Sequence, residues 1–152
     1  MPAISMHSPV GDLTLFEDEG AIVALEWGWG SVQEPSPLLK KAKAALDLYF
    51  DGGPWPDDLP LNPQGTLYRQ KIWAALRGVP AGETRSYAEI AVLAGGSPRA
   101  VGGANAANPI PILIPCHRVL GTHGLGGYSG GDGLATKRYL LDLETRTRTK
   151  QR

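Results

Sequence analysis

The chain has 152 residues, 42% hydrophobic and 20% charged, with fifteen acidic and fifteen basic side chains. That length suits one domain or two small lobes, and the hydrophobic content excludes a disordered chain. No apolar run reaches the roughly 18–20 residues that span a bilayer, and the first residues, MPAISMHSPVGD, lack the basic start and apolar stretch of a secretory signal. A single cysteine, Cys116, excludes an internal disulfide and a Cys-based structural zinc site. The expected compartment is a bacterial-type cytosol, with no membrane partner.

The balanced total hides an asymmetry. Residues 1–63 hold three basic and ten acidic side chains, a net −7, whereas residues 64–152 hold twelve and five, a net +7. A basic C-terminal half permits a phosphate-bearing partner without requiring one, since chance clustering on a solvated surface gives the same figures.

Along the chain, Leu13–Phe16 and Ala21–Trp27 alternate as strands, with a hairpin turn around Asp18-Glu19-Gly20. Trp27 and Trp29 are expected to pack this small sheet. Pro37 to about Phe50 places Leu39, Ala42, Leu46 and Phe50 at helical spacing and stops at Gly52-Gly53. The Pro- and Gly-dense stretch 51–63 reads as the connection between two lobes, 1–63 and 64–152.

Thr66 to Arg77 predicts a helix whose buried face carries Leu67, Ile72, Trp73 and Leu76. Ser86-Tyr-Ala-Glu89 has the spacing of a capping box and opens a short helix through Ala94. Gly95-Gly96 turns the chain, and Ser97-Pro98 supplies an N-cap and a first-turn proline for a second short helix to about Ala107. Two short helices across a glycine turn make a helix-turn-helix pattern, which also occurs as plain packing. The second helix, with Ala100, Val101, Gly102, Gly103, Ala104, Ala106 and Ala107, has almost nothing to bond a base edge. If it meets DNA it does so by shape and backbone, with Arg99 as its only long cation. The architecture expected is mixed α/β: an N-terminal β-sheet lobe with a helix, then a mostly helical C-terminal domain carrying the helix-turn-helix and a short active-site strand.

The most informative stretch is Pro109–Val119, PIPILIPCHRV. It reads as an apolar strand delivering a cysteine with histidine directly after it. Neighbouring residues on an extended strand face opposite ways, so His117 assists Cys116 only if the backbone turns there or a water bridges them. A suitable neighbour makes the thiolate, which is the nucleophile. A buried structural cysteine beside an incidental histidine is the plainer alternative.

Five motifs occur in order: RAVGGA at 99–104, Asn108-Pro109, IPCHRV at 114–119, YSGG at 128–131 and LLDLE at 140–144. With the helix pair, these closely resemble the O6-alkylguanine-DNA alkyltransferases, from about Thr66 to Glu144, with a weaker match in the N-terminal lobe. The resemblance implies direct reversal of DNA damage. The alkyl group of O6-methylguanine passes once to Cys116, without cofactor, and O4-methylthymine is left open as a second lesion. It implies alkylated double-stranded DNA as partner and a monomeric protein.

By the same resemblance, His117 takes the thiol proton through a bound water and Glu144 sets its tautomer. Tyr87 donates to the purine ring, Ser129 bonds near the substituted oxygen, and Arg99 fills the stack left by the extruded nucleotide. Asn108 braces the turn before the active-site strand. The carbonyls of Cys116 and Val119 accept from the base amino group, and Pro111 and Tyr128 line the pocket. Asn108, Tyr87 and Glu144 also have plain readings as a turn residue, a core tyrosine and a solvated helix residue. His7 and His123 are expected on the surface. Two departures from the family pattern stand out. Asp132-Gly133 looks inserted beside the pocket, and the N-terminal lobe lacks the Cys/His zinc site of some members, so no metal is expected. The alternative function is a non-catalytic lesion-recognition protein of the alkyltransferase-like kind. Those relatives replace the cysteine that this chain keeps. A sequence-reading helix-turn-helix regulator and a thiol hydrolase are disfavoured by the smooth second helix and by the PCHR context. Arg69, Lys71, Arg77, Arg85, Arg118, Lys137 and Arg138 are the expected pool of phosphate contacts.

Overall fold

A computed structural model describes residues 1–121 and 124–150; His123 lies outside them. The N-terminal lobe is a three-stranded antiparallel sheet in the order β1 (Ala3–Met6), β2 (Leu13–Asp18), β3 (Ala21–Trp27), covered by α1 (Pro37–Phe50). The β2–β3 hairpin closes on Glu19 and Gly20, both at positive φ (48° and 80°), the backbone twist that a two-residue hairpin demands. The register pairs Leu15 with Leu25, and both are buried with Leu13 and Ile22 beneath α1. Ser36 caps α1 by accepting from the Leu39 amide, and Pro37 follows in the first turn.

The buried stripe of α1 is Leu39, Ala42, Leu46 and Tyr49. Phe50, expected in that row, is half-buried at its edge, and Tyr49 takes its place. Trp27 is half-buried against Tyr128, as a packing role requires. Trp29 is not in the sheet core. It is 52% exposed and stacks on His7, itself exposed and paired with Asp12.

The C-terminal part begins with α2 (Leu67–Arg77), capped by Thr66. Ile72, Trp73 and Leu76 are buried, but Leu67 is 84% exposed. It sits in the unpaired first turn, ahead of the stripe that faces the core. The Ser86–Glu89 capping box opens α3 (Tyr87–Ala94), and Ser97 caps α4 (Pro98–Ala106). Trp73 ties α2 to α4 by donating its indole N–H to the Ala104 carbonyl at 2.9 Å. Two short strands, β4 (Arg85–Ser86) and β5 (Val119–Leu120), pair in parallel, and α5 (Leu134–Lys150) runs behind them. Along α4, an added Cβ at Gly102 or Gly103 would meet nothing within 4 Å, so neither glycine is required by packing within the chain.

Candidate active site

The approach to Cys116 is not the continuous strand expected. Proline at 109, 111 and 115 removes three ladder donors, and the segment folds back on itself instead. Ile114 N–H donates to the Ile110 carbonyl, Leu113 N–H to that of Pro111, and Cys116 N–H to that of Ile114. Ile112 sits at φ 72°, a left-handed conformation that a β-branched side chain holds only under constraint, at a cost of about 1–3 kcal/mol. Asn108 supplies that constraint. Its amide donates to the Ile114 carbonyl at 2.9 Å while its carbonyl oxygen accepts from the Ile110 amide at 3.0 Å, clasping both ends of the turn.

Cys116, His117 and Arg118 then form one turn of 3₁₀ helix leading into β5. This turn resolves the geometric objection raised by an extended Cys-His pair, since it removes their strict alternation. All three side chains are buried. His117 Nε2 lies 2.8 Å from Glu144 Oε2. Arg118 grips the same carboxylate by two bonds, Nε to Oε1 at 2.8 Å and a second guanidinium nitrogen to Oε2 at 2.9 Å, and also donates to the Val79 carbonyl at 2.7 Å. Tyr49, from α1, donates its hydroxyl to Glu144 Oε2 at 2.6 Å. Trp55 stacks its ring 4.1 Å from the Arg118 guanidinium.

These contacts fix the charges. Burial alone would raise the Glu144 carboxyl, but His117 and Arg118 override it and hold the group well below the carboxylate range. Burial pushes His117 below its ordinary value, with Arg118 and Lys137 adding to it and Glu144 opposing. A neutral imidazole facing a carboxylate carries its proton on Nε2, so Nδ1 is left with the lone pair. Nδ1 is buried and has no hydrogen-bond partner among the described residues. Burial raises the Cys116 thiol, while a bond from Asn108 and the charge of Lys137 pull it down without cancelling that rise. The resting thiol is therefore neutral and needs a base.

Cys116 opens into a cleft of about 930 Å³ between β3 and α4. One wall is β3, with Ala24 and Trp27, and another is α4, with Gly102, Asn105 and Ala106. Of the residues singled out in the sequence, Tyr87, Asn108, Pro111, Tyr128 and Ser129 line this cleft with Cys116. His117 and Glu144 stand behind the thiol. Arg99 is exposed at the start of α4, outside the cleft lining. Val119 is buried and absent from the cleft lining, and its carbonyl already accepts from Lys137, as the Cys116 carbonyl does from the Val119 amide. Asp132 and Gly133 lie in the turn before α5, where Asp132 N–H donates to Thr136 Oγ1 at 2.9 Å.

Two expected phosphate contacts are interior instead. Arg118 is committed to Glu144. Lys137 is fully buried, with Nζ on the carbonyls of Val119 (2.6 Å), Leu125 and Gly127 (3.1 Å), and burial lowers its ammonium to about 8. Tyr49 was not among the residues singled out, although Leu39, Ala42, Leu46 and Tyr49 keep the helical period and a buried tyrosine needs a hydroxyl partner. The signal for Lys137 is its spacing from Leu140 and Glu144, which puts all three on one face of α5. Among the described residues, no group of three or more His, Cys, Asp or Glu side chains is placed to hold a metal.

A buried thiol followed by a histidine–glutamate pair, in a cleft walled by β3 and by the second helix of a helix-turn-helix pair, defines the class of cysteine-acceptor proteins. The chain belongs to the 6-O-methylguanine DNA methyltransferase family: residues 67–146 match its DNA binding domain and residues 3–63 its ribonuclease-like domain. It is 41% identical to the constitutive methylated-DNA–protein-cysteine methyltransferase of Bacillus subtilis, over 91% of this chain and 92% of that one. A Mycobacterium tuberculosis methylated-DNA–protein-cysteine methyltransferase is 42% identical over 92% and 90% of the two chains. The crystal structure of M. tuberculosis OGT in complex with DNA superposes with a TM-score of 0.86 at 40% identity, covering 97% of this chain and 94% of that one. An O6-methylguanine DNA methyltransferase from Methanococcus jannaschii gives 0.71 at 26% identity, covering 93% of each chain.

Proposed function

We propose that this protein repairs alkylated double-stranded DNA by moving the alkyl group of O6-methylguanine irreversibly to Cys116, one group per chain. The observation that carries this reading is the commitment of His117 Nε2 to Glu144, which leaves Nδ1 as a buried lone pair on the residue that follows a neutral thiol in the same turn. Nδ1 takes the Cys116 proton through a water, and the sulfur attacks the methyl carbon as its bond to guanine O6 breaks. The electron pair leaves on the purine, which takes a proton from Tyr87; Tyr87 is reprotonated from solvent and His117 returns the thiol proton to solvent, so the step balances. Tyr87, donating to the ring, and Ser129, bonding near O6, ease the developing charge. Lys137 and Asn108 offset the charge on sulfur before attack.

The lobes divide the work in this reading. The 64–152 part supplies the helix-turn-helix and the acceptor, and the 1–63 part walls the cleft. The nucleotide is rotated out of the duplex, Arg99 fills the space it leaves, and Pro111 and Tyr128 line the pocket that receives the base. In this reading the carbonyls of Cys116 and Val119 accept from the guanine amino group as well as from their partners within the chain. Among the described residues, no helix is long and apolar enough to cross a membrane, in keeping with a cytoplasmic repair protein.

Stoichiometry tests the proposal. A thioether has no labile bond to water, so incubation with excess O6-methylguanine duplex and no cofactor is expected to add one methyl mass per chain, mapped to Cys116. Cys116→Ser is expected to take up none. Multiple turnovers per chain, or lesion binding by the unaltered protein without any mass change, overturns the acceptor reading.

A further inference from the structure

The N-terminal lobe does more than wall the cleft. Glu144 Oε2 accepts from three donors: His117 Nε2 at 2.8 Å, Arg118 at 2.9 Å and the Tyr49 hydroxyl at 2.6 Å. Tyr49 is the only one of the three that comes from residues 1–63. Its ring is fixed by an edge contact with Trp55 at 5.0 Å and a tilted one with Phe50 at 5.2 Å, and its hydroxyl has no competing acceptor among the bonds described. We propose that Tyr49 is a positioning residue for the acceptor reaction: through Glu144 it sets the basicity of His117, so that the N-terminal lobe tunes the proton relay of the C-terminal one. This inference rests on the acceptor reading above.

The physical chain is short. A carboxylate oxygen that already accepts a strong hydrogen bond offers less negative charge to a second donor. Tyr49 therefore weakens the hold of Glu144 on the His117 Nε2 proton and so disfavours the imidazolium. That keeps His117 neutral and its Nδ1 lone pair available. The other groups acting on the ring are Arg118 on its own turn, Glu144 and Lys137 on α5, and the Trp55 ring at 6.2 Å from the connection. Burial and the neighbouring Glu144 charge keep the Tyr49 phenol protonated throughout, so it acts as a donor at every relevant pH. Without its hydroxyl the carboxylate keeps both arginine bonds, so the relay persists with altered basicity.

The test is a pH profile of single-turnover methyl transfer by the full chain on an O6-methylguanine duplex, paired with titration of the His117 ring by NMR. The rate of the unaltered protein is expected to rise through the His117 midpoint. In Tyr49→Phe both midpoints are expected to move up by about 0.5–1, making transfer below the midpoint about three- to tenfold slower. A second arm places 3,5-difluorotyrosine at position 49. It keeps the hydroxyl and the packing, strengthens the donor, and is expected to move both midpoints down. This arm decides the matter if Tyr49→Phe does not fold. Failure of the unaltered protein to take up methyl defeats the acceptor reading itself. Methyl uptake with midpoints that stay fixed in the variants, even if rate or melting temperature falls, overturns the role of Tyr49.

Discussion

Lys137 Nζ lies 2.6 Å from the Val119 carbonyl oxygen, with two further carbonyls closing around it, so this lysine is a strut of the site and not part of its DNA-facing surface. Lys137→Met is therefore expected to cost roughly 2–4 kcal/mol, because a buried ammonium is removed and its acceptors lose their partner. The melting temperature is expected to drop by roughly 5–15 °C. Affinity for undamaged duplex, measured well below the transition, is expected to stay within about twofold. A normal melt with a clearly shallower salt response returns Lys137 to the surface.

With Lys137 and Arg118 withdrawn, the exposed cations of the C-terminal half include Arg69, Lys71, Arg77, Arg99 and Arg138; Arg85 is half-buried and leans on Glu83. Duplex affinity is expected to fall with salt at a log–log slope of about 0.9 per phosphate neutralised, with little preference among undamaged sequences. Fluorescence anisotropy across a salt series measures both. A flat response or strong sequence preference contradicts the phosphate-led mode.

Arg99 is exposed in the first turn of α4, outside the lining of the cleft at Cys116. Arg99→Ala is expected to slow repair of duplex substrate far more than reaction with free O6-benzylguanine, since the free base needs no extrusion. Equal proportional losses on the two substrates remove the extrusion role.

The buried carboxylate predicts an acid limb in stability. Glu144 is held low in the folded state, so its contribution is complete above about 4.3, the unfolded carboxylate value, and is lost as pH falls below it. His117 is also held low, which adds stability above about 6.5 that declines as pH falls through its folded value. Glu144→Gln strands Arg118 without its counter-charge and is expected to cost about 3–5 kcal/mol near neutrality. Its gap from the unaltered protein is expected to narrow below pH 4. A gap that stays constant from pH 7 to pH 3 shows that the carboxylate charge is not what is lost.

The local signals in the sequence carry well into the structure wherever one residue type has one physical use. Ser86 and Glu89 form their capping box, Ser97-Pro98 starts α4, and Glu19-Gly20 closes the hairpin. His117 and Glu144 meet although no local pattern links residues 27 positions apart; only the family resemblance, which reads IPCHRV and LLDLE together, points to the pair. What escaped the sequence are contacts set by tertiary packing. Counting charges placed Lys137 and Arg118 outside, where unpaired cations belong, and only the fold reveals the carbonyls and the carboxylate that admit them to the interior. The tightly wound turn at 110–114 hid behind a run of apolar residues that alternates like a strand, although its prolines argue against a ladder.

Gly102 and Gly103 stand on open ground in α4, with no neighbour that a methyl group would strike. Each lowers helix stability by about 0.5–1 kcal/mol relative to alanine, so the helix is weaker than its own packing demands. Gly103→Ala is expected to raise the melting temperature by roughly 1–4 °C while weakening duplex binding, because in the proposed binding mode the added methyl meets the groove floor. A variant that melts higher and binds equally well shows that the surface tolerates bulk. The expected result makes α4 a compromise in which fit to an outside surface outranks the durability of the fold, and selection for thermal stability alone would erode repair.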